Sequence, residues 1–596
     1  MTGGSDVCSS DLALEEYMQD QNDEDKINLE DDIEDIELQE NNELLDDQDS
    51  LSSEPIESKD NIEDNTPNSG NKITRLIKDL WRNPKKRWGI IIGSAVIVMV
   101  VAILPQSRYF VLNNVGVRSS ASIKVLDSST GQPLKNVSVK IGSVESKTGQ
   151  EGVAKLDNLK LGNTKLIIHK RAFAESTSDI TIGWGSNPLG EQNVKPVGLQ
   201  YTFDIKDYLS GKPIEKAEAV SGEYSAFSDE NGKAVLTIDQ PGEDTIKITI
   251  NADGRRSEEI NQQTESKEAQ EILMVPARKH IFVSKRSGKY DVYKVDLDGK
   301  NEELLLSGTG YETDDISLVP NADKDMTALV STRENTRNKD GFLLSTLTLI
   351  DATGDTVSTE PITKSEKIQV IGWSGDQLVY VKIADGASAS TPGRHRLITY
   401  NSDTGQSKEI AQSNYFNDLL MIGDDIYYAP SSAFEGSKKG FFKVNSKGED
   451  QRVLFDNEVW NIIRTDYDTL MFSVDKDWYE YDLTSGKVLA SNGPPVSQIT
   501  RVYIDGPEKK KSLWIDQRDG KGTLLTYDTN SKEDKVIKTQ SGLTYPILWL
   551  SDKVAIYRIS TDQESADYAI SLDGGEAKKI RDVTKTSGID RWYYYR

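Results

Sequence analysis

Cysteine is nearly missing from this chain. One residue, Cys8, stands in 596, so no intrachain disulfide can form. Small secreted domains often depend on such staples. Here any exported domain must instead be held by an ordinary apolar core. That suits a bacterial or archaeal envelope protein. The segment from Ser5 to Leu12 differs in texture from the sequence behind it and resembles an adapter-derived end, so nothing is built on Cys8 or on residues 1–12. Histidine is scarce too. His169, His280 and His395 stand far apart, which leaves zinc unsupported, and no cofactor is expected. Outside residues 72–87 there is no basic stripe, which argues against nucleic acid as a partner.

Positive charge and aromatics are both sparse at the front. Residues 1–70 carry 24 Asp and Glu against Lys26 and Lys59, so most of the net charge of -26 lies there. The acidity belongs to a tail and says nothing about the fold. Such a segment buries too little apolar surface to offset its ordering entropy, and it is expected to be disordered. Ile33, Ile36, Leu38 and Leu44-Leu45 are short patches that could dock on a basic cytoplasmic partner; the alternative is a purely solvating tail.

Long apolar runs are missing, with one exception. Trp88 to Leu104 carries no charge. Seventeen residues span roughly 26 Å, near the short end for a membrane crossing. Seven Lys and Arg precede it within 72–87, and Arg108 alone stands close behind it. The positive-inside rule then keeps the N-terminus in the cytoplasm and exports the chain beyond Pro105. A cleaved signal peptide is disfavoured by the long leader and by Pro105-Gln106-Ser107, which is not a small-x-small site. Residues 72–83 place Ile73, Leu76, Ile77 and Leu80 at helical spacing, either as a surface helix or as a plain basic stop signal. The expected order is a disordered acidic tail (1–70), a basic flank (71–87) and a transmembrane helix (88–104).

Beyond the helix the pattern is all β. Ser122 to Val125, Val137 to Val139 and Lys165 to Ile168 alternate between turn residues, as half-buried strands do. The layout recurs about 80 residues later. Thr130-Gly131-Gln132-Pro133 matches Ser210-Gly211-Lys212-Pro213, and Thr148 to Gly152 matches Ser228 to Gly232. This is a tandem duplication. The pattern resembles the carboxypeptidase regulatory-like domain over 120–197 and again over 198–276. That resemblance implies two transthyretin-like seven-stranded β-sandwiches with no catalytic residues, serving as spacer or stalk.

Over 278–596 a hairpin recurs with turns at Asp298-Gly299, Thr353-Gly354, Gly405, Lys447-Gly448, Gly486, Thr529-Asn530 and Asp573-Gly574, at a mean spacing of about 46 residues. Four strands at that spacing make a β-propeller blade, so about seven blades are expected, with six or eight as alternatives. Residues 279–284 and 588–596 read as half-blades that pair to close the ring. The hairpins resemble TolB-like and YVTN-type propellers, a generic likeness that names no ligand.

Chemistry is hard to find. Gly372-Trp373-Ser374-Gly375 falls short of a nucleophile elbow, and no phosphate loop occurs. Asp296 to Gly299 and Asp229 to Gly232 read as turns, since neither continues as a calcium loop. Trp373, Trp549 and Trp592 recur at equivalent places and read as inter-blade packing. If there is a ligand site, it belongs at the propeller mouth, where strands enter the centre: Asp314, Asp315, Asn417, Asp418, Trp460, Asn461, Arg501, Tyr545, Asp590 and Arg591. The function expected is a membrane-anchored extracellular binding protein without catalysis, meeting a protein or cell-wall glycan. The alternatives are a transmembrane sensor using the acidic tail and a propeller enzyme acting on glycans or peptides.

Overall fold

The computed structural model describes residues 84–583 apart from 241, 352–356, 359, 433–437, 495–501 and 519–520, together with 590–591. The acidic tail and the expected surface helix at 72–83 lie outside the described residues, as do Arg501 and Trp592.

Two helices open the described chain. The first, α1, runs Pro84–Ile103, and the second, α2, runs Pro105–Asn114. Leu104 between them is extended, with φ -87° and ψ 117°, because proline disfavours helical backbone in the residue before it. Every described side chain of α1 is exposed, including Ile92, Val96, Ile97, Val98 and Met99. Its apolar stretch Trp88–Ile103 spans about 24 Å at the helical rise of ~1.5 Å per residue. Among the described residues no helix is long and apolar enough to cross a membrane.

Two β-sandwiches come next. In the first, Ser119–Asp127 pairs antiparallel with Val153–Leu159 and parallel with Ser186–Val194. This sheet covers a second of four strands, in the order Val144–Lys147, Ser138–Ile141, Gly162–His169 and Ser176–Ile182. The second sandwich repeats this plan, with Leu199–Asp207 between Lys233–Ile238 and Gln270–Met274.

The duplication extends to single hydrogen bonds. Thr148 donates its hydroxyl to Leu134 O and accepts from Val137 N; Ser228 does the same with Ile214 O and Ala217 N. Gly152 and Gly232 hold positive φ, and a Cβ there would stand 2.6 Å from Val125 O and 2.4 Å from Ile205 O. The cores are apolar, around Ile123, Val125 and Phe173 in one and Tyr201, Phe203 and Ile248 in the other. At about 1.5–3 kcal/mol for each large side chain buried, such cores replace the missing disulfides.

Residues 280–591 form seven four-stranded antiparallel sheets, numbered here as blades 1–7. Blade 1 joins His280–Ser284, Asp291–Val295 and Glu303–Leu306 to Asp590–Arg591 from the far end of the chain. Val283 pairs with Arg591 and Ser284 with Asp590, so the ring closes as the sequence pattern suggested. Blades 2–7 begin at Ser317, Ile368, Phe416, Trp460, Ile504 and Leu543, each with its strands in sequence order. Trp373 in blade 3 donates its indole N–H to Val319 O of blade 2, and Trp549 in blade 7 donates to Ile504 O of blade 6. Both bind neighbouring blades together, as their recurrence implied.

Candidate functional site

Antiparallel strands divide a propeller into two faces. Turns joining strands one to two and three to four lie on one face. Turns joining two to three, and the connections entering the next blade, lie on the other.

The first, or turn face, is occupied. Leu209 of the second sandwich packs into the apolar cluster that holds Leu297 of blade 1 and Ile580 of blade 7. Arg256 donates from Nη1 to Asp296 at 2.6 Å and from Nη2 to Asp298 at 2.9 Å and Glu258 at 2.7 Å. Burial alone would raise the Asp298 carboxyl, but the Arg256 guanidinium holds it below its usual value. Asp296 and Asp298 are therefore more than turn formers, since they hold Arg256 of the second sandwich. That role was invisible in the sequence because Arg256 lies in another domain.

The same face is covered near the axis. Asp505 of blade 6 accepts from Gly423 N of blade 4 at 2.9 Å and from Arg464 of blade 5 at 2.9 Å. Lys509, at φ +55°, pairs with Asp424 of blade 4 and is drawn by Asp323 of blade 2. The blade 6 turn thus reaches across its neighbour toward the far side of the ring.

The second, or loop face, carries the longer segments 332–344, 384–394 and 431–440 in blades 2–4. The mouth residues read from the sequence divide here. Asn417, Asp418, Trp460 and Asn461 come together where the innermost strands of blades 4 and 5 enter. Asn417 donates from Nδ2 to Glu458 Oε1 at 3.0 Å and to Val459 O at 3.2 Å. Glu458 also accepts from the Ser432 hydroxyl and from Ser432 N. Burial would raise Glu458, but the Ser432 and Asn417 hydrogen bonds hold it below its usual value. Asp418 differs: burial pushes its carboxyl up, although Leu419 N and Ile462 N donate to its two oxygens. Asn461 takes φ +52° and donates to Ser473 Oγ at 2.9 Å, while the Trp460 side chain is 43% exposed.

A raised and a lowered carboxyl side by side invite an acid–base reading. Asp418 spends both oxygens on backbone N–H groups of two strands, which makes it a staple between blades.

The other mouth residues stand apart. Asp314 and Asp315 are exposed at the entry to blade 2, and Asp314 accepts from the Tyr290 hydroxyl. Tyr545 does not face an open mouth: its hydroxyl donates to Val502 O at 3.1 Å and accepts from Ile515 N at 3.2 Å, tying blade 7 to blade 6. Asp590 and Arg591 supply closing backbone pairs. Tyr415 and Glu458, which the sequence reading passed over, belong with the Asn417 group. Tyr415 is 54% exposed with the His395 ring edge-on at 5.6 Å. Its place one residue before an innermost strand was the available signal. Among the described residues no three His, Cys, Asp or Glu side chains gather as a metal site.

No protein-family model and no curated protein matches the chain. Among solved structures it is similar to the β-propeller domain of the Trilobed protease from Pyrococcus furiosus, at 13% identity and TM-score 0.32, over 58% of this chain and 97% of that one. It is similar to TolB from Acinetobacter baumannii at 14% identity and TM-score 0.26, over 50% and 80% of the two chains. It is also similar to oligogalacturonate lyase from Vibrio parahaemolyticus at 12% identity and TM-score 0.30, over 60% and 98%. The propeller assignment rests on this chain's own seven sheets and their closing pair.

Proposed function

We propose that this protein is a membrane-anchored interaction protein that presents the loop face of its propeller outside the cell, without catalysis. One observation carries the reading: the stalk domain holds the turn face, which leaves the loop face with its long segments as the presented surface. The anchor is the apolar stretch Trp88–Ile103 of α1, whose described side chains are all exposed, with Lys and Arg ahead of it whose heads can snorkel to lengthen a short span. An apolar helix with no polar face has no stable place in water. Behind it, Asn113 of α2 exchanges two hydrogen bonds of 2.9 Å with the backbone of Leu161, joining α2 to the first sandwich. The sandwiches, as carboxypeptidase regulatory-like modules, then serve as spacers.

Removing residues 1–70 from the membrane-bound protein tests the reading. Capture of a partner by the outer face should persist. If capture persists but an output inside the cell is lost with the tail, the protein works as a sensor coupled across the membrane.

A further inference from the structure

We propose that the loop-face rim of blades 3–5 binds a neutral polysaccharide chain, with Tyr415 and Trp460 as stacking platforms and Glu458 as a hydrogen-bond acceptor. This rests on the interaction reading above and names its partner class.

Exposed aromatics are sorted by face. Among the described residues of the propeller, Tyr311, Phe342, Tyr415 and Trp460 are the large aromatic side chains counted as exposed, and all four lie on the loop face. The exposed large aliphatics Leu304, Val453, Leu489 and Val536 all lie on outermost strands. A random scatter of surface apolar residues would not separate in this way. The aromatics sit on different loops with polar residues between them. Separated exposed rings with polar side chains between them suit a chain of sugar rings, each with an apolar face to stack and hydroxyl edges to hydrogen-bond.

A second observation points to the same place. Asn417, two residues beyond Tyr415, donates to Glu458 Oε1 and to Val459 O, which ties the segment that carries Tyr415 to the one that carries Trp460. The neighbouring Glu458 is fixed by Ser432 and Asn417, which makes it a rigid acceptor.

Charge selects a neutral chain. Over 366–367, 384–394, 438–440, 456–459 and 475–476, acidic and basic residues are equal in number, so the rim offers no field of one sign to a charged polymer.

The test uses the full chain in phospholipid nanodiscs, free of sugar detergents. Chitohexaose, cellohexaose and xylohexaose are titrated by calorimetry and tryptophan fluorescence, beside a hexagalacturonate as the acidic arm. At least one neutral hexasaccharide should bind saturably. Trp460→Ala and Tyr415→Ala should each weaken it by roughly tenfold, Trp460→Phe by less, and Val536→Ala on an outer strand not at all. Unfolding curves of each variant separate loss of binding from loss of fold. Binding of the acidic oligosaccharide alone, binding indifferent to both aromatic variants, or no neutral binding would overturn the inference. A protein partner captured on the loop face without sugar binding would also overturn it, yet leave the interaction reading standing.

Discussion

Asp567 is fully buried in blade 7, with Arg558 donating at 2.8 Å, Arg581 at 2.9 Å and His280 of blade 1 at 3.4 Å. Burial alone would raise this carboxyl, but His280 and the two arginines hold it far below its usual value. Arg581 also lies over the Phe282 ring at 3.6 Å, so the group spans the seam where the propeller closes. Replacing Asp567 by Asn should cost about 3–5 kcal/mol, because it strands buried cations; denaturant unfolding of the full chain measures this. A carboxylate held low adds stability above its unfolded pKa and loses it as pH falls through the folded one, so this contribution should fade only below about pH 4. His280 acts in another window. Burial lowers its pKa, so the unfolded chain takes up a proton that the folded ring resists. Stability should therefore decline as pH drops below about 6.5. His280→Gln should flatten that slope in a pH series of melting curves; an unchanged slope would remove His280 as its source. His280 was readable as a strand residue from its apolar neighbours. Its partner Asp567 was not, since 287 residues separate them and no local pattern marks the pair.

The duplicated turn of the sandwiches was legible because it depends on local chemistry: glycine at positive φ, a proline and a hydroxyl, all within about 20 residues of each other. Gly232→Ala should destabilise the second sandwich by at least about 1–3 kcal/mol, through strained backbone and the nearby Ile205 carbonyl. Hydrogen exchange should report faster opening of Leu199–Asp207 and leave the first sandwich unchanged. Blade number and closure were legible for a similar reason, since hairpin turns recur at one period. The joints between elements were not. Nothing in the local sequence marks Arg256 as a joint; only the fold brings its three carboxylates to it. Arg256→Ala should cost about 1–3 kcal/mol and expose the linker around Pro276 to protease; an undiminished resistance there would show that the other contacts, the Leu209 packing and the Lys212–Asp573 pair among them, hold the joint without it.

Over the described residues beyond 118, the second sandwich occupies one propeller face and leaves the loop face uncovered by it. Lys135 to Glu218 at 2.7 Å and Arg171 to Glu223 at 3.0 Å join the sandwiches, and Arg256 joins the second to the propeller. The all-β class came from strand periodicity, and the propeller from the spacing of its hairpin turns. The mouth was legible in outline, because residues before an innermost strand must reach the loop face. The sorting between Asn417, which joins a cluster, and Tyr545, which is spent on backbone, depends on side-chain direction and could not be read. Protease added to intact cells, with one tag at each end of the chain, tests the arrangement most directly. Digestion of the sandwiches and propeller with the N-terminal tag spared is the expected result. Loss of the N-terminal tag with the propeller protected, or release of the whole chain from membranes by salt, would contradict it.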